Sequence, residues 1–177
     1  AMVKLDMRAS LPAKNKPKEL IFIVDNSLSM RERTAKFLEE SCVLVTYATE
    51  TTLIVFGCKA TVVGTATTKS DLEELISTIP PQGMTNITDG VMTGLECIQR
   101  KAKSDPDAVY QIAFLSDGVH NTGVPPLETI EGGGTMISNK MSEILAEYPD
   151  IQIYFDVLGV GSTSQTNTGM ALKSVVE

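Results

Sequence analysis

Apolar residues in this chain gather into short blocks between polar stretches, and their spacing changes from block to block. Leu20–Val24 (LIFIV) is a continuous apolar run flanked by charge, the pattern of a strand buried on both faces inside a parallel sheet. Thr51–Phe56 and Ala60–Val63 read as two strands joined at Gly57-Cys58-Lys59, a hairpin signal. Tyr110–Leu115 (YQIAFL) and Ile151–Val160 (IQIYFDVLGV) are two more strand-like runs. Between these the period becomes helical. Arg31–Tyr47 sets Phe37, Leu38, Cys42 and Val45 on one side, Thr88–Lys103 and Ser138–Tyr148 follow, and a short helix is expected from Thr168 to Val176. Ser70 or Asp71 is expected to cap a further helix, with Glu73 and Glu74 in its first turn and Pro80-Pro81 after its end at Ile79. Pro125–Gly134 is a long, Gly- and Pro-rich connection.

Strands alternating with helices of ten to fifteen residues imply βαβ units. The expected fold is therefore α/β, a doubly wound, mostly parallel sheet with helices on both faces. Residues 1–18 form an N-terminal extension in which Val3–Ala9 alternates apolar and polar positions, a candidate edge strand; residues 19–177 form one domain. Sheets of this kind bind ligands outside the carboxyl ends of their strands, where the strand order reverses. Polar clusters directly after Val24 and Leu115 are thus the places to look for chemistry.

Composition narrows the function classes. The 177 residues, 42% hydrophobic and 21% charged, suit a single globular domain. A net charge of −7, with no basic cluster beyond Lys14–Lys18 and Arg8, argues against a nucleic-acid partner. The longest apolar run, Ile151–Val160, is broken by Gln152 and Asp156, so membrane insertion is not expected, and the chain opens without the pattern of a signal peptide. Cys42, Cys58 and Cys97 make no CxxC pair or zinc spacing, and their odd, scattered placement leans towards a reducing, cytoplasmic setting.

Three loops carry oxygen donors. Asp25-Asn26-Ser27-Leu28-Ser29 follows the LIFIV strand and sets a carboxylate and two hydroxyls at alternate positions, on one side of an extended loop. Gly83-Met84-Thr85-Asn86 precedes a helix and offers the Thr85 hydroxyl, and Ser116-Asp117-Gly118 follows the YQIAFL strand and offers Asp117. An oxygen-only set with two carboxylates suits a hard divalent cation, Mg²⁺ or Mn²⁺ better than a high-coordination Ca²⁺ cage, although Ca²⁺ stays open.

DxSxS after the first buried strand, Gly-x-Thr-Asn before a helix and Leu-Ser-Asp-Gly after a later strand together resemble the von Willebrand factor A (vWA) family, from about Glu19 to Val160. Each motif alone is weak; all three in order, each in the predicted structural context, are specific. The resemblance implies a Rossmann-like sheet and a metal-ion-dependent adhesion site. There Ser27 and Ser29 would ligate the ion directly, Thr85 directly or through water, and Asp25 and Asp117 largely through water and hydrogen bonds. It also implies one open coordination position, filled by a Glu or Asp side chain of a protein partner, and a domain that is part of a larger protein. Two departures stand out. Leu28 occupies a position where many members have Gly, which leaves the ligands intact but alters the partner surface. Only 16 residues follow Gly161, too few for the further strand and terminal helix usual in the family. Either the domain is truncated at its C-terminus or another segment, such as Val3–Ala9, covers the sheet edge.

Simpler accounts exist for each motif. Asp25, Ser27 and Ser29 alone fit a capping turn, Thr85 and Asn86 fit an N-cap, and Asp117-Gly118 fits a turn. His120, the single histidine, is expected on an exposed loop with no catalytic role, and Asn86-Ile87-Thr88 is expected to carry no glycan. Three functions compete. The first is a binding module without chemistry. The second is a Mg-dependent phosphatase-like hydrolase using Asp25, weakened because Ser27 stands where DxDx(T/V) needs its second Asp. The third is a structural domain with an empty metal site. The binding module is the reading the donor set favours, with no enzymatic activity expected.

Overall fold

The computed structural model describes residues 18–30, 45, 47–79, 82–117 and 120–159. The expected strand at Val3–Ala9, most of the helix at Arg31–Tyr47, and the C-terminal helix lie outside these residues, as does Cys42.

Five strands, β1 (Lys18–Asp25), β2 (Glu50–Phe56), β3 (Ala60–Ala66), β4 (Val109–Ser116) and β5 (Gln152–Gly159), form one sheet in the order β3-β2-β1-β4-β5. β1 pairs in parallel with β2 and β4, and β4 with β5, while β3 returns antiparallel along β2. The sheet is thus the mostly parallel α/β arrangement that the alternating blocks predict.

The LIFIV run explains why β1 sits in the middle. Leu20, Phe22 and Val24 enter one apolar cluster with Leu53, Val55 and Leu115; Ile21 and Ile23 enter a second with Ile54, Ile112 and Phe114. Successive side chains leave opposite faces of a strand, so only a run apolar at every position can fill two cores.

Three helices are described: α1 (Lys69–Ser77), α2 (Ile87–Ala102) and α3 (Met136–Glu147). α2 buries Ile87, Val91, Leu95, Ile98 and Ala102, a stripe at helical spacing. Gly94 sits on the same side, where an added Cβ would lie 2.6 Å from Ile23 Cδ1. A helix-interior glycine costs about 1 kcal/mol relative to Ala, but here it lets α2 lie against β1. The α1 cap differs from the expected Ser70 or Asp71. Thr68 is the N-cap, its hydroxyl accepting the Asp71 N–H at 3.2 Å while Asp71 Oδ2 accepts the Thr68 N–H at 3.0 Å. Asp71 is therefore the third helical residue of a capping box, and Glu73 and Glu74 fall in the second turn.

Candidate metal centre

β1 lies between β2 and β4, so the chain leaves it in opposite directions along the sheet, and its carboxyl end is the switch point of the fold. Asp25 is the last residue of β1 and Ser116 the last of β4. The parallel register, Val24 opposite Leu115, brings these two ends together. Ser116 Oγ donates to Asp25 Oδ2 at 2.6 Å, and Asp25 Oδ1 accepts the Ser27 N–H at 2.9 Å. Ser27 Oγ and Ser29 Oγ are 3.1 Å apart, in hydrogen-bond contact. Asp25, Ser27, Ser29 and Ser116 thus form one continuous hydrogen-bonded group. Leu28–Met30 closes a single 3-10 turn beneath which Met30 is buried, anchoring the loop.

Asp117 follows Ser116 and is buried, as are Asp25, Ser27 and Thr85. Burial pushes the Asp25 carboxyl above the ordinary carboxylate range, against the hydrogen bonds from Ser116 and Ser27; the negative charge of Asp117 adds to the rise.

Thr85 arrives on a loop tied to both of the others. Gln82 N–H donates to the Asn26 carbonyl at 3.1 Å, while Asn26 N–H donates to the Phe56 carbonyl at 2.8 Å. On the other side, Asn121 Oδ1 accepts the Thr85 N–H at 2.8 Å and Asn121 N–H donates to the Thr85 carbonyl at 3.1 Å. His120 Nδ1 accepts the Ile87 N–H at 3.2 Å, and its Nε2 lies 3.4 Å from the Gly123 carbonyl. His120 is therefore half-buried with both ring nitrogens engaged, unlike the free loop histidine expected; it caps a backbone donor at the start of α2. Asn86, the N-cap of α2, uses its side-chain oxygen to accept the Asp89 N–H at 3.1 Å. Gly123 packs on this side chain with φ of 79°, where a Cβ would lie 2.4 Å from Asn86 Nδ2.

All five sequence-predicted residues stand at this end of the sheet. Asp25, Ser27 and Ser29 are joined side chain to side chain or through the Asp25 carboxylate, Asp117 acts on Asp25 through its charge, and Thr85 is held through its backbone. Among the described residues, no three His, Cys, Asp or Glu side chains cluster as a metal site; the donor set here is two carboxylates and three hydroxyls. Ser116, His120 and Asn121 are the residues that sequence reasoning left without a part.

Several solved structures share this architecture. The PilB minor pilin of Streptococcus sanguinis superposes with a TM-score of 0.60 at 16% identity, over 93% of this chain and 56% of that one. Proximal thread matrix protein 1 of the mussel byssus gives 0.56 at 17% identity, over 92% and 48%. The manganese-loaded TRAP protein of Plasmodium vivax gives 0.51 at 18% identity, over 88% and 63%. The fold is of the vWA type. At such identities the likeness concerns the fold alone, and the chain spans about half the length of the PilB and thread matrix protein structures. No protein-family model matches the sequence, and no curated protein matches it.

Proposed function

We propose that this vWA-type domain is a metal-dependent protein-binding module, which captures a Glu or Asp side chain of a partner at a Mg²⁺-type ion without transforming it. The observation that carries this reading is the hydrogen-bonded Asp25–Ser27–Ser29 group, set beside a second buried carboxyl, Asp117, at the switch point. Carboxylates gathered at one place favour a cation beside them. The donors, carboxylate and hydroxyl oxygens only, fit a hard cation.

In this reading Ser27 and Ser29 supply direct oxygen ligands, and Thr85 supplies a third, directly or through water. Asp25 orients Ser27 by accepting its N–H and, with Asp117, holds waters and supplies negative charge. Ser116 fixes the Asp25 carboxylate from β4. When bound, the ion supplies an open position whose positive charge favours a carboxylate over a neutral group. The manganese carried by the Plasmodium vivax neighbour is in keeping with Mn²⁺ as a substitute. Attachment to a larger protein is part of the same proposal.

Isothermal titration of Mg²⁺ or Mn²⁺ into wild type, Asp25→Ala and Ser27→Ala tests it. Saturable heat is expected in the wild type and its loss in both variants. Heat that persists unchanged in both would remove the site assignment.

A further inference from the structure

The loops that carry the oxygen donors also carry apolar side chains in the open. Eight large apolar residues are exposed among the described residues, and four of them, Leu28, Met84, Val124 and Leu127, belong to these loops. Leu28, 62% exposed, lies between Ser27 and Ser29; Met84, 46% exposed, directly precedes Thr85. The Val124 carbonyl accepts a hydrogen bond from Thr88 Oγ1 in the first turn of α2, which fixes Val124 beside the Thr85 loop. Neighbouring Cα atoms are about 3.8 Å apart, so Leu28 and Met84 necessarily flank the donors.

Charge distinguishes this end from the rest of the molecule. The chain carries a net −7. Yet among the described residues of the two loops that carry Leu28 and Met84, 26–30 and 82–86, none is charged; the exposed Lys59 lies on the adjoining 57–59 turn, and the exposed acidic side chain of this end, Glu128, follows Leu127. Asp25 and Asp117 lie beneath, buried. An acidic segment meets less repulsion over these two uncharged loops than over the rest of the surface, and a bound ion would turn that into attraction.

We infer that the ligand is a protein segment in which the captured Glu or Asp is flanked, within two residues, by a bulky aliphatic or aromatic side chain that packs on Leu28 and Met84. The inference rests on the metal-dependent reading above and specifies the partner of that same site. Two residues of an extended segment span about 7 Å, so a neighbour of the captured carboxylate reaches the Leu28–Met84 collar without distortion. A collar of apolar contacts around a polar anchor is how interfaces exclude water from the charged contact.

An array of heptapeptides with a central Glu and varied flanks, paired with the same array carrying Gln, is probed with wild type, Leu28→Ser and Met84→Ser, in Mg²⁺ and in chelator. Wild type in Mg²⁺ is expected to favour apolar-flanked over Ser- or Gly-flanked Glu peptides by about tenfold. In both variants this ratio falls towards one, while the preference for Glu over Gln and the Mg²⁺ titration stay as in wild type. A metal-dependent Glu preference with no flank preference, or one unchanged in both variants, overturns the collar and leaves the metal reading standing. Loss of the Glu preference altogether, or its survival in chelator, overturns both. Sedimentation with phosphatidylserine–phosphatidylcholine vesicles is the final arm. Vesicle binding by wild type that Leu28→Ser abolishes assigns the collar to a lipid surface and overturns the peptide assignment.

Discussion

Asn121 holds the Thr85 loop by two bonds, one through its side chain and one through its backbone, and only the first can be removed by substitution. Thr85 is buried, so a lost acceptor leaves its N–H poorly solvated, at a cost of about 1–2 kcal/mol. Asn121→Ala is expected to lose that much stability in urea unfolding, whereas Asn121→Asp, which keeps the acceptor, retains most of it. Equal losses in the two variants would show that the bond contributes nothing. The residues legible from sequence were those whose chemistry and local spacing coincide: Asp25, Ser27 and Ser29 alternate on one short loop, and Asp117 stands on the loop directly after a predicted strand. The bonds of Asn121 and His120 were not legible because their partners, Thr85 and Ile87, lie 36 and 33 positions away. Ser116 escaped for a related reason. Its bond to Asp25 follows from β4 lying beside β1, and a strand's own sequence does not name its neighbour.

At the scale of elements, β1, β2 and α2 meet at the opposite end of the sheet through a charge cluster. Glu19 and Glu50 are register partners on adjacent parallel strands, like charges face to face. Lys101, near the end of α2, lies 2.9 Å from Glu19 and also bonds Glu50. Burial pulls the Lys101 ammonium down, but the hydrogen bonds it donates to Glu50 and Glu19, and their charges, outweigh it and leave its pKa above the usual lysine value. The sign follows directly. A folded value above the unfolded one means stability that is complete below the ordinary lysine pKa of about 10.4 and is lost as pH rises through the folded value. Lys101→Met is therefore expected to cost up to about 1 kcal/mol near neutrality, where both carboxylates lose their shared cation. The wild-type advantage in urea unfolding should shrink when pH passes above about 10.5; an advantage that is flat with pH would mean that Lys101 acts by packing alone. The elements themselves were largely readable, because runs such as LIFIV and YQIAFL are apolar at every position. The cap of α1 was misplaced because Ser70 and Asp71 are both good capping residues, and only the reciprocal Thr68–Asp71 bonds single out Thr68.

For the whole molecule, folding itself assembles the proposed metal centre. Asp25, Thr85 and Asp117 are far apart in sequence and come together only when β1 and β4 pair and the loops at their ends bond to one another. The unfolded chain scatters these donors, so a divalent ion would bind the native state and not the unfolded one. Such an ion must then stabilise the fold by mass action, by about 2.7 kcal/mol at a hundredfold excess over its dissociation constant. For a domain of this size each kcal/mol moves the melting temperature by about 2–4 °C, so saturating Mg²⁺ is expected to raise it by roughly 5–10 °C over chelator. Asp25→Ala should abolish the shift; its own midpoint in chelator combines two opposed changes, the lost acceptor for Ser116 and Ser27 and the relief of a buried carboxyl, so the Mg²⁺-dependent difference is the quantity to compare. Identical wild-type midpoints in Mg²⁺ and chelator, or a shift that survives in Asp25→Ala, would separate the fold from the proposed ion and leave the three loops as capping structure alone.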